Sequence, residues 1–208
     1  MNYLQLKLES KDYPVMREIV LPGEGTLALL HQAIQATFRW LDYHLYEFTD
    51  AKGARYAEAL DDGNDDMDAP PVDATTVTLD KVFKKAGTKL DYMYDFGDGN
   101  EVEVTFMKKV KPPFLPLFAT EGPYMIEDSR GVGGEKGVWS ILKNPKGKDY
   151  EEIVSWLWGA FHLTPEQALY HPTASDIYGK IFKLVKLLGT GTPSSPLADA
   201  WKEYVVEK

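Results

Sequence analysis

Residues 90–106 read LDYMYDFGDGNEVEVTF, and no other stretch restricts the fold so tightly. Leu90, Tyr92, Tyr94 and Phe96 alternate with Asp91, Met93 and Asp95; beyond the glycines, Val102, Val104 and Phe106 alternate with Glu101, Glu103 and Thr105. Alternation of period two on both arms marks two strands that each bury one face. A two-residue Asp98-Gly99 turn would set Phe96 opposite Glu101 and Tyr94 opposite Glu103, mixing apolar and charged groups on one face. Only an odd loop length avoids this. A three-residue loop, Gly97-Asp98-Gly99 with Gly99 left-handed, is therefore expected. It pairs Tyr94 with Val102, Tyr92 with Val104 and Leu90 with Phe106.

Around this hairpin the pattern is that of an α+β domain. Leu4, Leu6 and Leu8 alternate along a first strand, and Val15, Ile19 and Leu21 share a face of a second. Arg17 falls on that same face, so it is a cation at an apolar position and calls for an anionic partner, Asp95 or Asp98, or for an anion-recognition role. Thr26 is an N-cap for a helix whose apolar stripe is Leu27, Leu30, Ile34, Phe38 and Leu41, with His31 beside the stripe. His44 opens a strand to Phe48, and a short strand follows near Arg55. Further helices are expected at 79–86, 137–143 and 150–161, with a capping-box start at Thr164-Pro165-Glu166-Gln167. Residues 176–188 form an amphipathic helix; Gly and Ser mark 189–196 as a linker before a last helix at 197–208. The expected architecture is a mixed, mainly antiparallel sheet with a central hairpin (90–106) packed by helices, a single domain over 1–188, and a helical C-terminal part.

Composition narrows the chemistry. The chain has 208 residues and no cysteine, which removes disulfides, thiolate ligands and cysteine nucleophiles and suits a cytoplasmic setting. Its net charge of −9 opposes broad attraction to phosphate backbones. No apolar run approaches the roughly 20 residues that span a bilayer, and the N-terminus lacks the plan of a signal peptide. The acidic segment 61–73 places Met67 where a calcium loop needs glycine, and it reads as a solvated loop.

Several pieces, in order, resemble the plasmid pRiA4b Orf-3-like family: Arg17-Glu18-Ile19 with Leu21-Pro22-Gly23, the helix from Leu27 to Trp40, His44-Leu45-Tyr46-Glu47-Phe48, Tyr94-Asp95-Phe96-Gly97-Asp98-Gly99, Val132-Gly133-Gly134, and Trp158-Gly159-Ala160-Phe161. The resemblance covers roughly residues 1–170. It implies no established activity, and some relatives carry recombinase or transposition labels. The chain departs from the family pattern at three places. Asn100 and Val102 replace a Trp and a His after the turn, Tyr46 replaces the second His of His-Leu-His, and Arg130-Gly131 stand where a Glu-Asp pair is expected.

Nucleophile-elbow and H-E-x-x-H motifs are absent. The candidate polar site is Arg17, His31, His44, Tyr94, Asp95 and Asp98. No cofactor or metal is expected; if one were held, His31, His44 and Asp95 are the set the sequence offers for a single ion. Two functional classes follow: a non-enzymatic binding or adaptor domain, associated with mobile-element or DNA-transaction systems and taking a protein or small ligand, and a metal-dependent hydrolase or nucleic-acid-processing enzyme using Asp95, Asp98 and a His.

Overall fold

A computed structural model describes residues 2–58, 70–111, 117–130 and 134–177. Among them the chain runs β1 (Tyr3–Ser10), β2 (Met16–Pro22), α1 (Leu27–Phe38), β3 (Tyr46–Asp50), β4 (Arg55–Ala57), β5 (Val72–Asp73), α2 (Leu79–Val82), β6 (Lys89–Tyr94), β7 (Asn100–Val110), β8 (Leu117–Glu121), α3 (Gly134–Leu142), α4 (Tyr150–Phe161) and α5 (Pro165–Ala168). The strands form one eight-stranded sheet in the order β5-β4-β3-β6-β7-β1-β2-β8. All its neighbours are antiparallel except β4 and β5. The fold is α+β, and the hairpin β6–β7 lies at the centre of the sheet.

The alternation sorts the two faces of this sheet. Leu4, Leu6, Leu8, Ile19, Leu21, Phe48, Leu90, Tyr92, Tyr94, Val102, Val104 and Phe106 are buried in one continuous core. On the other face Lys89 pairs with Glu103, Lys11 with Asp91 and Glu101, and Arg55 with Glu47. Helix α1 starts at the Thr26 cap, whose hydroxyl accepts from Leu29 N at 3.3 Å. Ten of its 12 residues are buried, so α1 is a central helix packed on nearly all sides instead of a surface helix with one apolar stripe.

The hairpin register differs from expectation. Tyr94 pairs with Asn100, Tyr92 with Val102 and Leu90 with Val104, so the loop is Asp95–Gly99, five residues instead of three. The cause is Asp95. It turns left-handed (φ 57°), and its Oδ1 accepts the backbone N–H groups of Gly97 at 3.0 Å and Asp98 at 3.3 Å, the self-capping by which Asp closes a turn. The first arm therefore ends two residues early, at Tyr94, and Phe96 points into solvent instead of the core. The loop length is still odd, so each side chain keeps its face. Gly99 is left-handed, as expected (φ 66°).

Arg17 is fully buried, but its partner is not a carboxylate. The guanidinium donates to the carbonyls of Thr37 (3.2 Å), Met16 (2.8 Å), Glu121 (2.5 Å) and Pro123 (2.7 Å) and lies 5.6 Å over the Phe38 ring. Burial lowers its pKa to about 10. Five N–H donors in a rigid fork can satisfy a ring of carbonyls where a carboxylate would add a second buried charge. Arg17 thus ties α1, β2 and the segment after β8 together.

Helix α2 ends at Val82, short of the expected 86, and α3 begins at Gly134, ahead of the expected 137. Thr164 forms the expected capping box with Gln167. Residues 61–69 of the acidic segment, the greater part of the helix expected at 176–188, the linker at 189–196 and the helix at 197–208 lie outside the described residues.

Candidate metal centre

The sequence candidates divide into two clusters and one outlier. Arg17 is the outlier, held by its carbonyls. His31 centres the buried cluster: its Nε2 lies 2.7 Å from Asp42 Oδ1, its Nδ1 lies 2.8 Å from the Tyr92 hydroxyl, and its ring stacks on Tyr46 at 3.6 Å. Gln35 Nε2 donates to the same Tyr92 oxygen at 3.0 Å. The Tyr92 hydrogen is then free to point at His31 Nδ1, while His31 Nε2–H faces the Asp42 carboxylate. Asp42 also accepts from Gln32 at 2.9 Å, and its backbone N–H donates to Gln35 Oε1 at 3.1 Å. Burial raises the Tyr92 pKa well above the ordinary tyrosine value.

His44, Tyr94, Asp95 and Asp98 lie together at the loop end of the hairpin. His44 packs edge-on against the Tyr94 ring at 5.7 Å. Its Nε2 is 3.7 Å from Asp95 Oδ2 and 3.3 Å from Asp128 Oδ1. One ligand atom from each of His44, Asp95 and Asp128 lies within 4.8 Å of the other two. His44 is about one-third exposed and Asp128 about half, so the cluster opens to solvent on one side. Asp95 (φ 57°) and Asp128 (φ 53°) both have left-handed backbones, a conformation that costs a non-glycine residue energy and that concentrates at functional sites. Asp98 is adjacent but turned elsewhere, its Oδ2 accepting from Arg130 N at 3.2 Å.

Three dipeptides build this cluster. In Tyr43-His44, Tyr94-Asp95 and Glu127-Asp128 the first residue joins a shared network, Tyr43 through its backbone N–H and Tyr94 and Glu127 through buried side chains. The second contributes to the cluster, Asp95 buried and His44 and Asp128 partly exposed. Tyr43 N–H donates to the Tyr94 hydroxyl at 3.1 Å, the Tyr94 O–H donates to Glu127 Oε1, and Leu41 N–H donates to Glu127 Oε2 at 2.8 Å. Burial, opposed by the Tyr94 and Leu41 hydrogen bonds, raises the Glu127 pKa to about 7. The Tyr94 pKa is raised as well, by burial first and by the Glu127 carboxylate second. Trp40 stacks on Tyr94 at 5.1 Å and closes the network from beneath. A recess of about 30 Å³ bounded by Leu41, Glu127, Phe161 and Leu163 has room for about one water molecule. A larger molecule has to approach from the open side.

The set His31, His44 and Asp95 is corrected here: His31 is committed to Asp42 and Tyr92, and Asp128 takes its place. Reasoning from sequence missed Glu127 and Asp128. The Glu-Asp pair sought at positions 130 and 131 is present three residues earlier, and that dipeptide was the available signal.

A mainly antiparallel α+β domain with a mixed carboxylate–imidazole cluster at one end of its central hairpin is the class this geometry defines. Residues 1–174 match the family described as plasmid pRiA4b ORF-3-like protein, and the chain belongs to that family. It is 32% identical over 164 residues to the uncharacterized protein y4hQ of Sinorhizobium fredii, which covers 74% of this chain and 78% of that one. The crystal structure of the protein of unknown function MM3350 from Methanosarcina mazei Go1 is similar to it at 31% identity and a TM-score of 0.63, over 77% of this chain and 92% of the other. No helix among the described residues is long and apolar enough to cross a membrane.

Proposed function

We propose that this domain binds a divalent metal ion through His44 Nε2, Asp95 Oδ2 and Asp128 Oδ1 and uses it for hydrolytic chemistry. The observation that carries the reading is the contrast between the two histidines. His31 and Asp42 have closed to 2.7 Å, the distance of a charge-assisted hydrogen bond. His44 is held at 3.3 and 3.7 Å from its two carboxylates, which is loose for such bonds. Ligand atoms about 2.0–2.2 Å from one ion stand roughly 3.0–3.6 Å apart; the His44–Asp128 spacing falls in that range, the His44–Asp95 spacing just beyond it, and all three atoms lie within 4.8 Å of one another. One imidazole and two carboxylates suit Mn²⁺, Zn²⁺ or Fe²⁺. Exposure on one side leaves coordination positions for water and substrate. Held there by His44, Asp95 and Asp128, the cation would supply Lewis-acid activation of a water molecule for hydrolysis. The role first expected for Asp98 passes to Asp128.

A second reading is a binding or adaptor domain in mobile-element or DNA-transaction systems. It is supported by the apolar groups exposed beside the same cluster: Tyr43 (75% exposed), Leu45 and Phe96 (57%). Such a surface suits a protein or small apolar ligand, and the net charge of −9 disfavours direct contact with nucleic acid. The cysteine-free composition suits a cytoplasmic setting for either reading.

Metal analysis of the purified chain, with Mn²⁺ and Zn²⁺ titrations after chelation, tests the first reading. One ion per chain in the wild type, lost in His44→Ala and in Asp128→Asn with the fold retained, is the expected result. Equal metal uptake by wild type and both variants overturns it and leaves the adaptor reading.

A further inference from the structure

We infer that Tyr94 and Glu127 are positioning residues that set the spacing of the proposed cation ligands. The inference rests on the metal reading above. Each ligand is bonded in sequence to a member of one buried hydrogen-bonded chain: His44 to Tyr43, Asp95 to Tyr94, and Asp128 to Glu127. Without this chain the three come from separate parts of the sequence, a loop before β3, the end of β6 and the segment after β8. The Tyr94 hydroxyl accepts from Tyr43 N–H and donates to Glu127, and the other oxygen of Glu127 holds Leu41 N–H. The two ends of the 41–44 segment, the β6 terminus and residues 127–128 therefore meet at one hydroxyl and one carboxylate.

Both groups are almost wholly shielded from solvent, Tyr94 at 0% and Glu127 at 3% exposure, so neither is placed to touch a substrate itself. The Tyr94 ring is clamped between Trp40 and His44. Removing its hydroxyl would leave the ring packing in place and cut the tie between the segments. Partners behind metal ligands typically control affinity by 10–100-fold through orientation alone; Asp95 is also fixed by its own turn, through Gly97 N–H and Asp98 N–H.

The test uses the full chain stripped with chelator and titrated with Mn²⁺, read by electron paramagnetic resonance, and with Co²⁺, read by its visible spectrum. Tyr94→Phe is expected to weaken Mn²⁺ binding about tenfold or more and to change the Co²⁺ band pattern, since the ligand geometry relaxes. Glu127→Gln keeps an oxygen for only one of its two donors and should shift both readings in the same direction. Phe83→Leu, which loosens the Phe83–Phe106 contact away from the cluster, serves as a control of comparable thermal stability and should leave both readings unchanged. Wild-type affinity and spectrum in Tyr94→Phe and Glu127→Gln overturn the inference while the metal reading stands. A wild type that takes up no more Mn²⁺ than His44→Ala overturns both.

Discussion

The Tyr92 hydroxyl lies 2.8 Å from His31 Nδ1 across 61 residues of sequence, inside the core. This bond joins the centre of α1 to the middle strand of the sheet. Through Asp42 it also fixes the loop that presents His44. The chain has thus used one histidine as a structural strut and left a second at the surface with two carboxylates.

Tyr92→Phe should therefore destabilise the fold although the ring is retained. The substitution leaves His31 Nδ1 and Gln35 Nε2 buried without their common partner, and each unsatisfied group costs about 1–3 kcal/mol. A loss of about 3 kcal/mol in urea unfolding is expected. A loss below about 0.5 kcal/mol would show that the network re-forms around water or that the bond is worth little.

Arg17 leads to a second expectation. Its guanidinium serves four carbonyls from three separate segments. Arg17→Met removes a buried charge but strands those acceptors, with an expected cost of about 3 kcal/mol. Arg17→Lys should restore little, because one ammonium with three donors cannot reproduce the planar fork. Chemical unfolding of both variants checks this, and a lysine variant as stable as wild type would count against the carbonyl account.

Glu127 makes stability depend on pH. Its folded pKa is about 7 against an ordinary value of 4.5, chiefly from burial. Between these values the native state holds a proton that the unfolded chain has released. Stability from this group is full below about pH 4.5 and is lost as pH rises through about 7, by roughly 3 kcal/mol in total. In chelator, wild type should be more stable at pH 5 than at pH 8 by an amount that Glu127→Gln largely removes. Identical pH profiles for the two proteins would contradict it.

Burial faces were legible in the sequence because they depend on parity: Tyr92, Tyr94, Val102 and Val104 lie inside for any odd loop length. Register was not legible, because it depends on one side chain closing its own turn, Asp95 onto Gly97 and Asp98, and alternation carries no trace of that. His44 and Asp95 stood out as polar groups at a strand end and a turn. Asp128 did not, since it lies in an irregular stretch whose position is set by contacts with Leu41 and Tyr94 far off in sequence. Arg17 was recognised as a buried cation, but its carbonyl partners come from backbone that the sequence pattern does not place.

Asp128 offers the sharpest separation of stability from ligand binding. It has φ 53° and a side chain about half exposed, and glycine adopts that backbone without the strain an aspartate bears. In chelator, Asp128→Gly should match or exceed wild type, by up to about 1 kcal/mol. With saturating Mn²⁺ the order should reverse: ligand binding to the native state raises wild-type stability by about 2.7 kcal/mol at a hundredfold excess over Kd, and the variant, one ligand short, should gain far less. Thermal unfolding of both proteins with and without Mn²⁺ decides the matter. A variant that loses stability in chelator would mean that the Asp128 side chain supports the fold, and equal Mn²⁺ stabilisation of both would remove it from the proposed ligand set.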